Sequence, residues 1–101
     1  MSDLHSLDDV RARIDTLDGD LIRLLADRQA LVRVAATFKT DQQAVRAPDR
    51  VERVVALARE RATSAGLAPE VAEAVWRAMI GAFIELELTE HATLARTTTA
   101  P

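Results

Sequence analysis

Val10–Lys39, VRARIDTLDGDLIRLLADRQALVRVAATFK, decides the fold. Apolar residues recur there with heptad-like spacing, in steps of three and four from Val10 through Ile14, Leu17 and Leu21 to Leu24, and again from Leu31 through Ala35 to Phe38. Steps of that size lie on one stripe of an α-helix. Upstream, the Ser6 hydroxyl can accept from a free backbone N–H, and Asp8 and Asp9 suit the positive end of the macrodipole. No proline interrupts the run, and Gly19 lies off the seam. The spacing predicts a helix over about 8–40, roughly 48 Å long. A compact chain of this size has a radius of gyration of about 13 Å, so such a helix cannot bury its apolar face within one globule. It needs a partner, most economically a second copy in a two-fold dimer.

Outward from this helix comes a connection, FKTDQQAVRAPDR (38–50), read as a loop that gathers Lys39, Arg46 and Arg50. Pro48 suits the first turn of a second helix, where a missing N–H costs nothing. That helix is expected over about 48–64, with Val51, Val54, Val55 and Ala58 inward and Gly66 as a left-handed cap. Pro69 and Glu70 open a third, expected over about 69–95. Its apolar residues are Val75, Trp76, Met79, Ile80, Phe83, Ile84 and Leu88. The last residues, 96–101, read as a disordered tail. No segment alternates with period two over a useful length. The expectation is an all-α chain with one long, one short and one medium helix, forming a single domain over 1–101 with its core in 7–95.

Bulk composition narrows the function. Of 101 residues, 49% are hydrophobic and 29% charged, an ordinary soluble balance. A net charge of −3 argues against a nucleic-acid binder, which would carry a basic excess. With no cysteine there is no thiol nucleophile and no Cys-based metal site, and two isolated histidines make a metal site an unsuitable reading. The acidic start MSDLHSLDD lacks the basic and apolar regions of a signal peptide. No apolar run approaches the roughly 20 residues that span a bilayer. A cytoplasmic protein without a cofactor is the expectation. Neither a Gly-rich phosphate loop nor a serine in a nucleophile elbow is present.

Three polar residues break otherwise apolar faces. Arg28 occupies a seam position where a leucine would fit. Burying it alone would cost several kcal/mol, so it meets an anion, pairs with an acid such as Asp20 or Asp27 on a neighbouring helix, or reaches water. Lys39, eleven residues later on a continuous helix, would lie about 20° from Arg28 around the axis and about 16 Å along it. Long side chains could then converge on a small ligand, although a lysine at a helix C-terminus also answers the macrodipole. Glu87 continues the Trp76, Ile80, Phe83 stripe. Desolvation there disfavours the charged carboxylate unless a cation stands nearby, and an ion pair with another helix is the plainer alternative. Glu85 and Glu90 read as solvated-face residues. Cations and one carboxyl group suit a reaction driven by positioning and electrostatic stabilisation.

The stretch 10–39 resembles the first helix of the small all-α, AroQ-type chorismate mutases, and DRVERV (49–54) resembles the start of their second. The resemblance covers about residues 7–93. Arg11, the I-D-x-L-D run, the L-L-A-x-R ending at Arg28, and Lys39 carry it. It implies an intertwined homodimer with two equivalent sites. In each, Arg28, Lys39 and Arg50 bind a dianion from one subunit, and Arg11 reaches in from the other. Arg11 and Lys39 would stand about 42 Å apart on a straight helix, too far to serve one site in one chain. Glu87 matches a position that is Gln in many members and Glu in some, where it donates to the ether oxygen whose bond breaks.

The reaction so implied is the pericyclic rearrangement of chorismate to prephenate. Ala47 and Val51 stand where many such mutases have acidic residues, and A-V-R-A-P-D-R-V (44–51) looks more like the related isochorismate-pyruvate lyases, which give salicylate and pyruvate. Mutases of 4-amino-4-deoxychorismate are a third relative. A dimeric helical interaction module, with its seam cations merely paired to acids, is the non-enzymatic alternative.

Overall fold

A computed structural model describes residues 4–99, with side chains through Thr93. The described residues are helical throughout apart from short connections, and no strand occurs among them. Four helices follow in order: α1 (Leu7–Ala36), α2 (Gln42–Arg46), α3 (Pro48–Ala65) and α4 (Pro69–Thr99). The all-α class and the short α3 are as the sequence predicts, whereas α4, expected to be of medium length, has 31 residues and slightly exceeds α1 at 30. The five-residue α2 replaces the expected loop.

The helix ends follow local chemistry. Ser6 Oγ accepts the Asp9 N–H at 3.1 Å while the Asp9 carboxylate accepts the His5 N–H at 3.0 Å, a reciprocal cap at the start of α1. α1 stops at Ala36, short of the expected 40. Thr37, Phe38 and Lys39 instead donate their N–H groups to Val34, Ala35 and Ala36, three residues back, and Thr37 Oγ1 also donates to the Val34 carbonyl at 2.7 Å. The cause is a run of weaker helix formers, Thr37, Phe38 and Thr40, leading into Asp41. Asp41 caps α2 by accepting the Ala44 N–H at 2.8 Å.

Ala47 joins α2 to α3 by itself. Its N–H closes α2 on the Gln43 carbonyl, its own carbonyl accepts the Val51 N–H, and its backbone is left-handed at φ 36°. Pro48 then opens α3 as expected. Gly66, at φ 83°, ends it, and the Leu67 N–H returns to the Ala62 carbonyl at 2.8 Å. α4 runs to Thr99, past the expected end at 95, because neither glycine nor proline occurs between Gly81 and Pro101 to stop it. The part of the expected tail at 100–101 lies outside the described residues.

Two compact units divide the chain, Met1–Leu31 and Val32–Pro101. The first consists mainly of α1, none of whose residues is buried. Its seam stays open, from 37% exposure at Val10 to 70% at Leu31, and Phe38 just beyond reaches 82%. In the second unit α3 and α2 pack on α4. The core there is small-residue packing: Val45, Val55, Ala58, Ala62 and Ala72. Val51 and Val54 are half-buried, and Val75 on α4 is exposed. Small side chains let the two helices approach closely at the cost of little apolar area.

Across α3 and α4 runs a surface ion network. Arg77 grips both Glu52 oxygens at 2.8 and 2.9 Å and donates to Glu73 at 2.8 Å, while Arg59 meets the other Glu73 oxygen at 2.9 Å. The hydrogen bonds from Arg77 hold the carboxyls of Glu52 and Glu73 below their ordinary value of 4.5. In return Glu52, and then Glu73, push the Arg77 guanidinium upward.

Candidate active site

Glu87 is the one buried charged residue among the described residues, at 6% exposure. Its phase follows from the stripe: Trp76, Ile80 and Phe83 precede it in helical register and are half-buried. The cation it needs is Lys39, the only lysine in the chain. Lys39 Nζ donates to both Glu87 oxygens, at 3.2 and 3.1 Å. The lysine side chain is 26% exposed, so one end of the pair is desolvated and the other opens toward water. A carboxylate this buried would be strongly destabilising without its partner.

This pairing replaces the geometry expected from a continuous helix. With α1 ended at Ala36, Lys39 has left the helical phase, and its predicted 20° offset from Arg28 and 42 Å separation from Arg11 no longer apply. The lysine owes its placement to the tight turn 37–39, which no periodicity encodes. Periodicity made the break at Glu87 legible but not its partner 48 positions away; only the family resemblance put Lys39 and Glu87 in one site.

The other expected site residues stand as follows. Arg28 is half-buried and Arg11 exposed, both on α1 in the first unit. Seventeen residues apart, they are separated by about 26 Å along the helix, too far to reach one small molecule from the same chain. Arg50 is exposed in the first turn of α3. There it lines a shallow cavity of about 460 Å³ together with Asp41, Gln43, Ala47 and Arg53. Arg53 was not anticipated from the sequence. Glu90, expected on the solvated face, is half-buried, and its Oε1 accepts from Arg33 Nε at 3.1 Å and Nη2 at 2.7 Å.

The buried acid thus meets the lone lysine, whereas Arg50 and Arg53 line a cavity whose lining includes neither Lys39 nor Glu87. The chain matches the model of the chorismate mutase type II family over residues 10–88. The chain belongs to that family. The resemblance read from 10–39 and 49–54 is thereby borne out. Among curated proteins it is similar to an isochorismate pyruvate lyase of Pseudomonas aeruginosa, 40% identical over 60 residues. That alignment spans 59% of this chain and 56% of the relative. No helix among the described residues is long and apolar enough to cross a membrane.

Proposed function

We propose that the protein is a chorismate mutase, working in the cytoplasm as a homodimer whose sites are shared between subunits. The observation that carries the reading is the buried Glu87 against Lys39 in a chain of this family. Chorismate is a dianion that must be held folded while its C–O bond breaks and a C–C bond forms. No proton or group is transferred to the protein, so its task is to bind, orient and stabilise charge. Arg28, Lys39 and Arg50 hold the carboxylates and the ether oxygen. Arg11 comes from the partner, in keeping with its 26 Å offset from Arg28 and with the open seam of α1.

Glu87 completes the ether-oxygen contact by donating a hydrogen bond, which only the protonated acid can do. Without substrate both its oxygens accept from Lys39. Glu87→Gln, whose amide N–H donates in place of the acid, is expected to retain turnover, and Glu87→Ala to lose it. Full turnover in Glu87→Ala counts against this role.

Isochorismate-pyruvate lyase activity is the second reading, favoured by the Pseudomonas aeruginosa relative and by apolar Ala47 and Val51. A 4-amino-4-deoxychorismate mutase is a variant of the first. Incubation with chorismate and, separately, isochorismate, with prephenate resolved from salicylate, decides between them. Consumption of neither rejects both, and leaves the dimeric interaction module. Arg28→Leu separates the classes independently: it abolishes turnover in an enzyme, and is neutral or stabilising in a purely structural helix pair.

A further inference from the structure

Two ion pairs tie the end of α1 and the turn after it to α4. The inner one is Lys39–Glu87, and the outer one is Arg33–Glu90. Glu90 lies one turn beyond Glu87 on α4, so the two carboxylates are neighbours on its surface. Arg33 stands in the last turn of α1, and the path from it to Lys39 is short and hydrogen-bonded through residues 37–39. No residue of α1 is fully buried, and at its end only Val32 and Ala36 are half-buried, so little core packing holds it.

The outer pair is half-exposed, at 51% for Arg33 and 38% for Glu90. Such pairs add little to stability. Position is where it can matter. A lysine is a flexible four-carbon stem and could reach Glu87 from a range of backbone placements. Both Arg33 nitrogens converge on one Glu90 oxygen, and the planar fork then constrains direction as well as distance. We infer that Arg33 and Glu90 are positioning residues: their ion pair sets where the turn carrying Lys39 sits on α4, and so aims the ammonium group at Glu87. Displacements of about 1 Å in such groups can cost up to 100-fold in rate. The catalytic consequence rests on the function proposed above, whereas the aiming of Lys39 does not.

Because Lys39 is the only lysine, lysine labelled with ¹³C at Cε and ¹⁵N at Nζ gives one side-chain signal with no assignment step. The test compares the full chain with Glu90→Gln, Arg33→Gln, the exchanged pair Arg33→Glu/Glu90→Arg, and Glu85→Gln as an exposed control on the same helix. In Glu90→Gln and Arg33→Gln the Lys39 Cε and Nζ are expected to become more mobile, with faster exchange of the ammonium protons. With chorismate, kcat should fall about tenfold while KM and the unfolding midpoint stay nearly constant. The exchanged pair should recover both readouts, and Glu85→Gln should change neither. A Lys39 signal unaltered in both single variants overturns the inference, as does a loss of kcat that merely follows the folded fraction. Should the unsubstituted protein turn over neither chorismate nor isochorismate, the proposed function fails, and the Lys39 signal still decides whether the outer pair aims the inner one.

Discussion

Lys39→Met is the sharpest perturbation of the buried pair. Methionine keeps the length and apolar stem of lysine but removes the charge, leaving Glu87 unpartnered at 6% exposure. Breaking a fully buried pair costs about 3–5 kcal/mol, against roughly 0–1 kcal/mol at the surface. Lys39 is 26% exposed, so water partly screens the pair, and the loss should fall between these limits, at about 2–3 kcal/mol. That is roughly 30- to 150-fold in the unfolding equilibrium. The assay is urea unfolding at pH 7, followed by the fluorescence of Trp76, the sole tryptophan, with protomer concentration held constant because association adds to apparent stability. Lys39→Met/Glu87→Met removes both charges and leaves none stranded. It should lie within about 1 kcal/mol of the unsubstituted protein. A single variant costing less than about 0.5 kcal/mol, or a double variant as unstable as the sum of the two singles, would refute the claim that desolvation of Glu87 is compensated by Lys39.

Three further outcomes follow from the backbone and the surface network. Gly66→Ala puts a side chain at φ 83° and should lower stability by about 1 kcal/mol in the same urea assay. A neutral result would mean that the cap relaxes. Ala47→Gly relieves the left-handed alanine at φ 36°, and is expected to be neutral or stabilising by up to about 1 kcal/mol, whereas Ala47→Val should destabilise. Glu52 and Glu73 have folded values lowered from 4.5 by Arg77, so their contribution is present above that pH and is lost as pH falls through the lowered values. Unfolding midpoints measured on the acid side of neutrality should therefore drop less steeply with falling pH in Arg77→Gln than in the unsubstituted protein. Identical slopes would deny the network any linkage to folding.

What the sequence determined by itself is whatever neighbouring residues decide among themselves. Ser6, Asp8 and Asp9 start α1, Pro48 and Pro69 open α3 and α4, and Gly66 ends α3, since caps and ring constraints act within one turn. Periodicity likewise exposed Glu87 as a misfit on an apolar stripe, and the run of residues 10–39 pointed to the family. Its limits were equally physical. The end of α1 at Ala36 and the short α2 depend on a close balance between modest helix formers and the Asp41 cap, which periodicity does not weigh. The tertiary structure alone decided which cation meets Glu87, that Glu90 answers Arg33, and that Arg77 links Glu52 to Glu73. Except for Glu73–Arg77, one turn apart on α4, these partners are separated by 25 to 57 positions. Charge alone makes many such pairings possible. Only the packing of α3 and the turn 37–39 on α4 selects among them, because an ion pair forms where the backbone has already brought the two groups within a few ångströms.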